Sequence, residues 1–159
     1  MFTRRNALIA SSALLAGLFG SRGPVVASED NGVVSVKSAY GFDETVARLQ
    51  ADIAAKKIMF FSAIDQAKLA SGAGIALRPS TLLVFGNPPL GVQFLTANPL
   101  AGLDWPVRLL VTEDEHGQVW ASYTDFAWIA RRHRIEERAA AFKMASEVIA
   151  SITSSVAAK

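Results

Sequence analysis

A chain of 159 residues, 51% hydrophobic and 19% charged, has room for one domain around one core and is too apolar to be disordered throughout. Its formal charge of +2 is no sign of nucleic-acid binding: Arg4, Arg5 and Arg22 all lie in the N-terminal leader, and without them 13 basic residues face 14 acidic ones, a net of −1. The absence of cysteine excludes disulfides, a lipid-bearing cysteine, thiol catalysis, thiolate metal sites and covalent c-type haem.

Residues 1–27 read as a cleavable signal peptide. A short positive start, Met1-Phe2-Thr3-Arg4-Arg5, precedes an uncharged, mostly apolar run from Ala7 to Phe19. Pro24-Val25-Val26-Ala27 places Val at −3 and a small residue at −1 for cleavage after Ala27. The apolar run is shorter than the ~20 residues that span a bilayer and is interrupted by Ser11, Ser12 and Gly17. No stable membrane anchor is therefore expected after cleavage. The mature chain, residues 28–159, is expected to be a single periplasmic or secreted domain. Thr3-Arg4-Arg5-Asn6-Ala7-Leu8 resembles a twin-arginine signal, with Ala7 where Phe is usual, so the general and the folded-export routes both stay open.

In the mature chain, Val33 to Val36 predicts a first strand. Phe42 to Lys57 predicts a helix, with Phe42, Val46, Leu49 and Ile53 on one face, acids at its start and lysines at its end. Ile58 to Ile64, a nearly continuous apolar run, predicts a buried strand. A helical turn and loop follow over Ala67 to Ile75. Thr81 to Phe85 predicts a third strand, stopped by Gly86-Asn87-Pro88-Pro89, with a short helix over Gly91 to Ala97. Pro106 to Thr112 and Gln118 to Thr124 predict a hairpin, turned by Glu113-Asp114-Glu115-His116-Gly117. Asp125 opens a short helical piece to about Arg132. A closing helix runs from about Glu136 to Ser155, with Phe142, Ala145, Ile149, Ile152 and Val156 as its apolar stripe.

The order strand, helix, four strands, helix is that of an α+β fold: a mainly antiparallel sheet with helices on one face. The other face must be solvated, line a pocket or meet another subunit. Phe60, Phe61, Leu83, Phe85 and Trp120 lie in the strands, whose alternate residues point to opposite faces, so some must land away from the helices. A homodimer is the expected consequence.

Arg78-Pro79-Ser80-Thr81-Leu82-Leu83-Val84-Phe85-Gly86-Asn87-Pro88, then Asp104-Trp105-Pro106-Val107-Arg108 and Tyr123, resemble the pattern of the uncharacterised family known as domain of unknown function 302. The resemblance spans roughly Val33 to Arg134. It implies a strand-helix-four-strand-helix fold of the TATA-binding-protein-like kind, and no reaction. Asp65-Gln66 stands where members of that family often have Asp-His, so any role of that histidine is lacking here.

Asp65, Arg78, Asn87, Asp104, Arg108 and Tyr123 are the candidate ligand-binding residues, polar groups at strand ends or within apolar strands. Arg108 shares a strand face with Leu110 and Thr112 and, if partly buried, needs an acid partner, with Asp104 and Asp65 the candidates. One reading gathers Arg78, Arg108, Asp104 and Tyr123 in a polar cleft that holds a small anion by an arginine fork. The other makes the charges an internal ion pair that fixes a loop. Gly86-Asn87-Pro88-Pro89 is explained by turn chemistry alone.

His116 lies in the acidic hairpin turn, and neither it nor His133 has a second histidine at ligand spacing, so no metal site is expected. Arg131-Arg132-His133-Arg134, compensated by Glu136 and Glu137, reads as a solvated helix junction rather than a nucleic-acid patch. No phosphate loop, dinucleotide fingerprint, cofactor motif or nucleophile elbow is present. Three functions remain open: a ligand-binding or accessory module, an enzyme with an Arg/Asp/Tyr site, and a structural, self-associating domain.

Overall fold

The computed structural model describes residues 25–28 and 31–158. The predicted leader lies outside them except for its last three residues. The elements in order are β1 (Val25–Ser28), β2 (Val33–Lys37), α1 (Phe42–Ala55), β3 (Met59–Asp65), α2 (Gln66–Gly72), β4 (Ser80–Gly86), α3 (Pro88–Ala97), a 3₁₀ turn (Pro99–Leu103), β5 (Val107–Glu113), β6 (Val119–Thr124), α4 (Phe126–Arg132) and α5 (Ala139–Ser154). The strands form one antiparallel sheet in the order β1-β2-β6-β5-β4-β3. The five expected strands are all present. The sixth, β1, pairs Val25 with Val36 and Ser28 with Val33, so the expected cleavage point after Ala27 falls inside it.

Helical spacing delivers the core. In α1, Leu49 and Ile53 are fully buried, and so is Thr45, whose hydroxyl bonds that of Ser38 at 2.7 Å. In α5, Phe142, Ala145, Ile149 and Ile152 are buried together with Val156 just beyond it. These stripes pack on the sheet face built from Leu83, Phe85, Leu109, Val111, Val119 and Ala121, with the buried Val36 paired beside Ala121. Phe94 of α3 stacks on Phe142 with ring centroids 4.1 Å apart, joining the short helices to the same core. The α+β class with helices on one face is what the strand and helix order requires.

The opposite face carries Ser35, Arg108, Leu110, Thr112, Trp120 and Ser122. Part of it is held by polar pairs: the Ser35 and Ser122 hydroxyls lie 2.8 Å apart. The Trp120 indole donates to Asp114 in the β5–β6 turn at 2.8 Å, a bond that with the Gln118 and His116 amides holds the Asp114 carboxyl below its ordinary range.

One element departs from expectation in its environment. The apolar run over Ile58 to Ile64 forms β3, but at the sheet edge, where Met59, Phe60, Phe61 and Ile64 are exposed. A continuous apolar run specifies a strand, not which strands will flank it.

Candidate functional site

The polar centre of the domain is Asp104, and its position is set by local turn chemistry. Asn98 caps the 3₁₀ turn, accepting from the Leu100 amide at 3.0 Å, and Asp104 closes that turn with its own amide on the Ala101 carbonyl. The Asp104 side chain is only 4% exposed. Its Oδ2 lies 2.6 Å from His133 Nε2, while its Oδ1 accepts from Arg132 at 3.2 Å and from Arg108 at 3.3 Å. Arg108 also donates to the Leu103 carbonyl at 2.6 Å. A carboxylate taken out of water needs such compensation.

The two other partners come from the end of α4. The helix stops at His133, and Arg134 takes a left-handed conformation (φ 52°) that lets the Ile135 amide reach back to the Ala130 carbonyl. That ending turns His133 inward, where it is buried, and Asn98 Nδ2 satisfies its carbonyl at 2.9 Å. Arg132 stays half exposed, its guanidinium 5.4 Å from the Trp128 ring. The basic run is therefore not a merely solvated junction: Arg131 and Arg134 are exposed, but Arg132 and His133 are bound to an acid 28 and 29 positions earlier.

Of the six candidates from sequence, only Asp104 and Arg108 meet. The Arg108 side chain is half exposed (51%), and its acid partner is Asp104. Asp65 is not its partner; it caps α2, accepting from the Lys68 amide at 2.8 Å. Beside it, Gln66 accepts from the Ser80 hydroxyl at 2.6 Å and so ties α2 to β4. Arg78 lies beyond the Glu113 end of β5, because Ser80 pairs with Thr112 while Val84 pairs with Arg108. The four residues from Ser80 to Val84 alone span about 13 Å at the ordinary rise of a strand, and Arg78 lies two residues further out. Arg78 there borders an open trough with Leu77, Pro79, Thr112 and Glu113. Tyr123 pairs with the fully buried Leu109 and packs on the helix side of the sheet, the face opposite Arg108. Burial and, less, the Asp125 charge push its phenol above the usual range. Asn87 is exposed at the start of α3. The four-residue cleft is thus not formed: strand alternation and register part its members.

Next to Asp104, Trp105 covers a narrow apolar cleft lined by Phe85, Leu90, Phe94, Phe126 and Ile149 among others, with a volume of about 30 Å³. That is room for a water or two, not for a metabolite. The indole lies directly on glycine: a Cβ at Gly91 would stand 2.0 Å from Trp105 Nε1. Gly91→Ala is therefore expected to expel the indole and destabilise the fold by about 1–3 kcal/mol, the usual range for overpacking. Tryptophan emission shifted to the red, together with a lowered melting temperature, checks this.

Among the described residues, no group of three or more His, Cys, Asp or Glu side chains is arranged to hold a metal ion, and no helix is long and apolar enough to cross a membrane. The profile of the family described as "Domain of unknown function DUF302" matches residues 34–156. The chain belongs to this family. A DUF302 protein of known crystal structure, uncharacterised and from Bacillus stearothermophilus, superposes with a TM-score of 0.71 at 16% identity, covering 79% of this chain and 98% of that one; the likeness is one of fold. Two curated relatives are named fluoride-specific ion channel FluC 1. The protein of Brucella suis is 35% identical and that of Brucella abortus 35% identical, the alignments covering 77% of this chain and 52% and 49% of those proteins. The DUF302 chain described here therefore spans about half the length of the curated relatives it matches.

Proposed function

We propose that this DUF302 domain is an exported accessory module that holds a small anion on the Arg108–Arg132 pair. The observation that carries the reading is the convergence of two half-exposed guanidinium groups on a single oxygen of a buried carboxylate, with nitrogens at 3.3 and 3.2 Å. Asp104 holds both arginines in place, and each bond to it uses one of the five donors that a guanidinium carries. Donors are left over on both side chains, which stay about half exposed, and the positive charge of the pair exceeds the single negative charge that organises it. A carboxylate, a phosphate or a halide ion matches such a site. The name of the half-matched Brucella relatives supports the same chemistry, since it joins a domain of this kind to the movement of a small anion. On this reading the module works beside such a transporter.

The test is ligand-dependent stability. Fluoride, acetate and phosphate are each titrated against the purified protein at constant ionic strength. At least one is expected to raise the melting temperature of the native chain, as any ligand bound only by the folded state must. The rise is expected to vanish in the double variant Arg108→Gln, Arg132→Gln. Equal shifts in both proteins, or none, contradict the site.

Export rests on the leader. A positive start, an uncharged run of 13 residues and the Val-Val-Ala ending supply the three parts that a secretory signal needs. N-terminal sequencing of the protein from the exported fraction is expected to begin at Ser28. Cleavage there removes most of β1 and makes β2 an edge strand. Recovery of Met1 from that fraction contradicts the assignment.

A further inference from the structure

We propose that β3 is the docking edge for a second copy of this chain, giving a two-fold dimer with one continuous sheet. Seven of the twelve exposed large apolar side chains among the described residues fall between Met59 and Leu77. Four of them, Met59, Phe60, Phe61 and Ile64, belong to the edge strand itself. Soluble proteins blunt free edges with charge, proline or a covering element, because the unpaired amides and carbonyls invite another strand. Over Met59–Ile64, β3 carries no charged residue and no proline, and among the described residues it pairs on one side only, with β4. A bulge at Phe61 interrupts that ladder, yet Ser62 to Asp65 continue in regular register.

A second copy is the occupant that the strand's own chemistry selects. Antiparallel pairing of two β3 strands about their middle is isologous, so each apolar side chain meets the apolar part of its counterpart. The same pairing brings the Lys57 end of each strand beside the Asp65 end of the other, opposite charges at both rims of the contact. Such a contact covers the exposed Met59, Phe60, Phe61 and Ile64 of each copy. A copy also has what an unrelated protein would have to supply, a free uncharged edge of the same length.

Sedimentation equilibrium of the purified protein at micromolar concentration tests this, alongside Phe60→Lys and Ile64→Lys, two side chains 39% and 38% exposed in the single copy. The native chain is expected to be a dimer. Each lysine variant is expected to raise the dimer dissociation constant at least tenfold while its circular dichroism stays that of the native protein. A native chain that is monomeric throughout overturns the proposal, as does a dimer indifferent to both variants. A monomer that floats with phosphatidylglycerol vesicles, and ceases to do so when salt is added, overturns it in favour of a lipid surface.

Discussion

Asp104→Ala is expected to destabilise the protein by about 3–5 kcal/mol, the ordinary cost of removing one partner from a buried charge network. The change leaves the buried His133 without its 2.6 Å partner and leaves Arg108 and Arg132 facing one another with nothing between them. It also unties the 3₁₀ turn from the end of α4, two segments joined otherwise by the Asn98 bond to the His133 carbonyl. Arg108→Ala, by contrast, is expected to cost less than about 1 kcal/mol. Its side chain is half exposed, and the carboxylate keeps Arg132 and His133. Urea denaturation of both variants, read as midpoint and slope, separates the two outcomes. Equal losses would mean that Arg108 is an obligatory structural partner and has no freedom to serve a ligand.

Leu49→Ala is expected to cost about 2–5 kcal/mol, because the side chain is fully buried between α1 and the sheet and the space it vacates is bounded by elements that cannot all collapse into it. In a domain of this size that is a large part of the total stability. An unchanged melting temperature would show that α1 presents another face to the sheet.

These two predictions differ in how far the sequence could have supplied them. Leu49 and Ile53 announce themselves by spacing alone, and so does the stripe Phe142, Ala145, Ile149, Ile152, Val156: a helix of known period has one apolar side, and the sheet is the one surface able to receive it. Strand order along the chain, together with the family-like blocks around Ser80 and Asp104, leads to the same α+β architecture. Asp104 could be seen as a candidate, but not its main partner. His133 lies 29 residues away on a different helix, and only the left-handed ending at Arg134 turns it inward. A basic run at a helix end looks solvated until the fold places an acid beneath it. Tyr123 and Arg78 failed to join Arg108 for the opposite reason. Their blocks are close in pattern, but register and alternation place one on the far face and the other at the far end of β5. The exposure of β3 was equally invisible, since an apolar run reads alike in the centre of a sheet and at an edge that awaits a partner.

The measurement that bears most directly on the anion site is the ¹⁵N nuclear magnetic resonance of arginine side chains, recorded while phosphate, acetate and fluoride are added in turn to the native protein. The guanidinium signals of Arg108 and Arg132 are expected to move together along one saturating curve with at least one of these ions, while those of Arg48, already paired with Glu44 on α1, stay where they are. Signals of Arg108 and Arg132 that stay still at every concentration, or that move no more than those of Arg48, would contradict a ligand site and leave Asp104 and its partners as a joint of the fold.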